Sequence, residues 1–102
     1  MSQGKILCRT PNQPEGGKGT HIDAWKFVAL QAAIRAHFAQ TANQPLGFMA
    51  LCKDLRAHVS PEDCQAMGSL NWFATTVILE LEFRGELCAQ RVKGKKMLCL
   101  AS

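Results

Sequence analysis

No stretch of this chain stays apolar for the ~18 residues that a membrane-spanning helix needs, and its start is not a basic segment leading into an apolar run. A cytoplasmic protein without a membrane partner is the expectation. Close cysteine pairs are missing too. Cys8, Cys52, Cys64, Cys88 and Cys99 are an odd number, widely scattered, with no C-x2-C among them and no H-x3-H elsewhere. Such spacing suits reduced thiols packed as small hydrophobes and supplies neither a disulfide framework nor an anchored zinc site. The stretch Pro11-Asn12-Gln13-Pro14-Glu15-Gly16-Gly17-Lys18-Gly19 lacks the Gly-Lys-Ser/Thr of a phosphate loop, and Pro14 withholds an N–H that such a cradle would use. It reads as a flexible loop over 11–20, and residues 1–4 are expected to be disordered.

What the chain does contain is enough for one core. At 102 residues and 47% apolar composition a second core could not close, so a single domain over 1–102 is expected. The net charge of +4 is localised: residues 84–96 hold Arg84, Arg91, Lys93, Lys95 and Lys96 against the single acid Glu86, and the rest of the chain is balanced. A basic cluster attracts polyanions by counterion release, and it also guards a strand edge against unwanted pairing.

Apolar periodicity supplies the elements. Ile6, Leu7 and Cys8 suggest a short strand within Lys5 to Thr10. Phe27, Leu30, Gln31, Ile34 and Phe38 line one face of a helix from Ala24 to about Gln40, with Asp23 as N-cap, Trp25 and Val28 widening the apolar face and Lys26 and Arg35 pointing out. Pro45 ends that stretch. Phe48, Leu51, Cys52, Leu55 and Val59 predict a second helix from Phe48 to about His58, with Lys53, Asp54 and Arg56 on its polar side. Ser60-Pro61-Glu62-Asp63 is a helix start, predicting a single turn over 61–65. Ser69 then caps a long helix whose buried face is Leu70, Phe73, Ala74, Val77, Ile78 and Leu81, stopped by Gly85. Leu87 to Val92, a turn at Lys93-Gly94, and Lys95 to Ala101 read as a β-hairpin. This order predicts an α+β fold: one winged helix-turn-helix domain with three main helices on a small antiparallel sheet and a C-terminal hairpin wing.

Two stretches, Ile22-Asp23-Ala24-Trp25-Lys26-Phe27 and Trp72 to Gly85 (WFATTVILELEFRG), resemble an uncharacterised family of short bacterial winged-helix proteins, a domain of unknown function. With the linking pattern the resemblance covers most of residues 5–92. It implies a bacterial, cytosolic winged-helix protein with no established activity. The family pattern carries a lysine where this chain has Thr75.

Function follows from the positions left off the buried face of the long helix. Asn71 suits an adenine edge, and Thr75 and Thr76 suit phosphates or a thymine methyl. Arg91, Lys93, Lys95 and Lys96 on the wing would hold phosphates, making double-stranded DNA the expected partner of a small transcriptional regulator. That helix has no base before Arg84, however, and Glu80 and Glu82 would place negative charge beside a phosphate. The alternative is a protein-interaction or homodimerisation module using Trp72 and Leu79, or Trp25 and Val28; otherwise Trp72 packs between the long helix and the wing. A zinc site from Cys52, His58 and Cys64, with His21, His37 or Cys8, lacks an anchoring pair, and Cys64 with His58 is the only local thiol–base combination. No catalytic residue, metal or cofactor is expected, and so no enzyme.

Overall fold

The computed structural model describes residues 4–8 and 20–101. The chain opens with strands β1 (Lys5–Cys8) and β2 (Thr20–Asp23), paired antiparallel with Lys5 opposite Asp23 and Ile6 opposite Ile22. The second strand was not expected: Thr20 belongs to it, while the rest of the expected loop lies outside the described residues, as do Met1 to Gln3. Gly4, expected to be disordered, accepts a hydrogen bond at its carbonyl from the Ala24 N–H at 2.9 Å.

Helix α1 (Ala24–Gln40) buries Phe27, Leu30, Ala33, Ile34 and Phe38, close to the predicted stripe. Three details differ. Asp23 precedes the helix but makes no capping bond with its side chain, because the β1–β2 register brings Lys5 to within 2.9 Å of its carboxylate. Lys26 does not point away; its side chain is only 16% exposed, with the ammonium 4.2 Å from the centre of the Phe73 ring. Val28 does not widen the core face and is 57% exposed.

Strand β3 is only Leu46–Gly47, and α2 (Phe48–Asp54) follows at once. The predicted helix to His58 is completed in tighter 3-10 form over Leu55–His58, with Val59 already extended ahead of Ser60-Pro61. Helix α3 (Pro61–Met67) starts as read: the Asp63 N–H donates to Ser60 Oγ at 3.1 Å. It runs beyond the single predicted turn, since Met67 is buried, and stops at Gly68 with φ +82.

Helix α4 (Leu70–Arg84) is the centre of the packing. Ser69 precedes it without a side-chain capping bond, and Phe73 of the predicted core face is half-buried. Gly85 ends it in the left-handed region (φ +82, ψ 11), and the Glu86 N–H closes back onto the Leu81 carbonyl at 2.9 Å. Strands β4 (Leu87–Val92) and β5 (Lys95–Leu100) then form the hairpin, with Lys93 and Gly94 both at positive φ, as a two-residue turn matched to strand twist requires.

The sheet order is β3-β5-β4, antiparallel throughout, with Leu46 opposite Leu98. A segment between the first two helices therefore returns to dock on the hairpin. Leu87 and Leu98 face the core made by α1, α2 and α4. The described residues form a single α+β domain of four α-helices and two antiparallel sheets, one of them carrying the C-terminal hairpin. No helix among the described residues is long and apolar enough to cross a membrane.

Candidate nucleic-acid interface

The first half of α4 meets α2 along an open cleft of about 490 Å³. Asn71 and Thr75 line it from α4; Phe48, Cys52 and Lys53 line it from α2, with Arg56 just beyond. Asn71, Lys53 and Arg56 are exposed. The two bases lie three residues apart on the polar side of one helical segment, which is what brings both to the same rim. Sequence reasoning saw them only as a solvated face, because nothing local to α2 says that Asn71 lies opposite.

The threonines have less to offer than expected. Thr75 Oγ1 donates to the Asn71 carbonyl and Thr76 Oγ1 to the Trp72 carbonyl, both at 2.9 Å. With these protons committed to the helix backbone, each side chain presents a methyl and an acceptor oxygen. Cys52 Sγ sits 3.9 Å from Thr75 Oγ1; burial pushes the Cys52 thiol up from its ordinary pKa, and the Thr75 contact opposes this only in part.

The acids of α4 are removed from the surface. Glu80 is fully buried and accepts from Arg84 Nε at 2.7 Å; Glu82 accepts from Lys96 Nζ at 2.8 Å with its side chain 7% exposed. The repulsion expected from these carboxylates is therefore muted. Two of the clustered bases are spent in the same pairs. Lys96 lies between Glu82 and the Phe48 ring, 5.3 Å from its centre, and is not a free cation of the hairpin. Arg84 also reaches Glu86 at 3.8 Å and stacks over the Phe27 ring at 4.6 Å.

Arg91, Lys93 and Lys95 remain exposed, with no ion pair among the described residues. Lys95 points to the sheet face away from α4, while Arg91 shares the face of its partner Lys96, which touches Glu82 on α4 and Phe48 at the cleft wall. The hairpin and the cleft thus lie on one side of α4.

Trp72 does not fill a gap between α4 and the hairpin. It is 49% exposed and stands edge-on to Phe73, with centroids 4.9 Å apart, on the α1 side. Lys26 bridges onward to half-buried Trp25, 5.8 Å from its ring. Trp25 and Trp72 therefore belong to one patch, while Leu79, half-buried, continues the outward ridge of α4 toward exposed Phe83. Val28 is exposed on α1.

Cys52, His58 and Cys64 do not converge. Cys52 faces Thr75, the Cys64 thiol donates to the Val59 carbonyl at 3.7 Å, and His58 Nε2 is 3.1 Å from His37 Nδ1. Asp54 lies 3.5 Å from the other nitrogen of His37. Among the described residues no group of three or more His, Cys, Asp or Glu side chains is arranged so that it could hold a metal ion.

No curated protein and no solved structure matches this sequence. A family pattern does match, over residues 5–98, a span that includes the cleft, α4 and nearly all of the hairpin. The chain belongs to that family, DUF6958, a family of unknown function.

Proposed function

We propose that this protein is a non-enzymatic winged helix-turn-helix domain that binds double-stranded DNA, as a small transcriptional regulator would. The topology supports the frame: helix, short strand, helices, long helix and hairpin, with the short strand docked on the hairpin in the order β3-β5-β4. The observation that carries the reading is charge placement. Lys53 and Arg56 flank the exposed start of α4, Arg91 is exposed on the hairpin face that Lys96 turns to α4, Lys93 stands in the turn and Lys95 on the other face of the hairpin, and the acids of α4 are held inside. In this arrangement the five bases hold phosphates and fix the register of α4. Asn71 then offers its amide to an adenine edge, and the Thr75 and Thr76 methyls offer apolar contact to thymine.

The test is a titration of native tryptophan fluorescence with a random-sequence duplex at rising salt. Five neutralised phosphates predict an affinity loss of roughly several hundredfold between ~50 and ~200 mM salt. Replacing Arg91, Lys93 and Lys95 together by Gln should lower the slope of log affinity against log salt by about three. An unchanged slope removes the hairpin from the interface.

One observation favours a second reading, a homodimer or protein contact. The outward ridge of α4 is apolar, with Trp72 and Phe83 about half exposed, and Trp25 and Val28 extend apolar surface onto α1. Tryptophan is among the residues most enriched in binding hot spots. On this reading Trp72→Ala shifts the sedimentation coefficient toward the monomer and leaves salt-dependent duplex binding intact; a wild-type protein that sediments as a monomer at high concentration removes it.

A further inference from the structure

Cys88 on β4 and Cys99 on β5 are directly opposite one another in the antiparallel ladder, and both are free thiols. The two-residue turn makes Val92 and Lys95 the closing hydrogen-bonded pair, and every second pair below it repeats that type: Gln90 with Met97, then Cys88 with Cys99. The Ala101 N–H to Glu86 carbonyl bond, 2.9 Å, continues the same alternation one step further. Directly opposite residues of this type have Cα atoms ~5.5 Å apart, inside the ~4.4–6.8 Å window that a disulfide spans.

The placement is also held. Strand β5 is central in its sheet, and next to Cys99 the Asn43 side chain grips Leu100 twice, accepting from its N–H at 2.8 Å and donating to its carbonyl at 3.2 Å. Cys88 is exposed on the edge strand, where a small oxidant reaches it first; Cys99 is half-buried behind it. The other described thiols differ: Cys8 and Cys52 are buried, and Cys64 is turned onto the Val59 carbonyl.

We propose that Cys88 and Cys99 are a redox modification site, closing a reversible disulfide across the base of the hairpin by exchange with a small disulfide such as oxidised glutathione. The Cys88 thiolate, its proton lost to solvent, attacks one sulfur of the glutathione disulfide; a Cys88–glutathione bond forms and one glutathione thiolate leaves. The Cys99 thiolate then attacks the Cys88 sulfur, the internal bond forms and the second glutathione leaves. Each departing thiolate takes up a proton. The protein is oxidised by two electrons, and one glutathione disulfide is reduced to two thiols. Opposite side chains in a hydrogen-bonded pair stand wider apart than a relaxed disulfide holds them, so closure draws the strands together. A strained bond of this kind is readily reduced, which makes the modification reversible.

The test equilibrates the full, reduced protein with mixtures of oxidised and reduced glutathione, quenches in acid, alkylates the remaining thiols and weighs the intact chain and its tryptic peptides. Cleavage after Arg91 and the lysines that follow separates residues 85–91 from 97–102, so the bond is read as one joined peptide. The expected result is loss of two alkylatable thiols, a mass lower by two hydrogen atoms, the joined peptide, and recovery on adding reduced glutathione. Cys99→Ser should instead hold a glutathione adduct on Cys88, with circular dichroism unchanged. A wild-type chain that stops at the glutathione adduct, that joins any other pair of cysteines, or that leaves both residues fully alkylated overturns the proposal. None of these readouts depends on DNA binding.

Discussion

From Leu70 to Leu79, α4 carries no charged residue; from Glu80 to Arg84 it carries three, each paired inside the molecule. The first half leaves Asn71 exposed and takes its nearby positive charge from α2. The second half uses charge as mortar: Arg84 ties buried Glu80 to Glu86, Glu86 accepts from Gln31 and Arg35 of α1, and Lys96 ties Glu82 to β5. One helix thus separates a surface that is free to bind from a surface that holds the hairpin in place. Substitutions in the second half should be read in stability, and those around the first half in binding.

The largest effect expected from this contrast is in the second half. Arg84→Ala removes a partner of a fully buried carboxylate, and breaking such a pair costs about 3 kcal/mol once the partial exposure of Arg84 is discounted. Urea denaturation measures this, and a loss below ~1 kcal/mol would mean that charge is not what holds this end. Next, Gly85→Ala should cost about 1 kcal/mol, because φ is +82 there while the space for a Cβ is open, so conformation alone opposes the change. A neutral result would mean that the chain leaves α4 by another geometry.

The smallest effect lies at the start of α1. The hydrogen bond from Lys5 holds the Asp23 carboxyl below its ordinary pKa, with Lys26 adding to the effect. A lowered folded value means that the ionised group stabilises the fold above the ordinary carboxylate range, and that this contribution disappears as pH falls through the lowered value. Asp23→Asn should therefore be less stable than wild type at neutral pH and converge with it in acid. Parallel stability curves across that range would contradict the pairing.

The elements with long periods were readable because their patterns are local. Phe27 to Phe38 and Leu70 to Leu81 repeat at helical spacing, Gly85 marks a stop that other residues resist, and Lys93-Gly94 divides two alternating runs. Strands β2 and β3 were not readable. Four residues and two residues are too short to display alternation, and their hydrogen bonds come from partners remote in sequence. The same limit governs the candidate site. The bases of the hairpin stood out as a cluster, but that Lys96 and Arg84 are spent on Glu82 and Glu80 depends on how α4 packs. Lys53 and Arg56 gain meaning only when folding brings them beside Asn71.

The most direct test of the contrast sets two variants against each other in duplex titrations over a salt series, each first checked by urea denaturation. Lys53→Gln with Arg56→Gln should leave stability within ~0.5 kcal/mol of wild type and lower the salt slope of duplex affinity by about two. Arg84→Ala, compared at equal folded fraction, should lower stability and leave the slope where it was. A slope that ignores Lys53 and Arg56, or that falls as much with Arg84, would contradict the division of α4 into a binding half and a holding half.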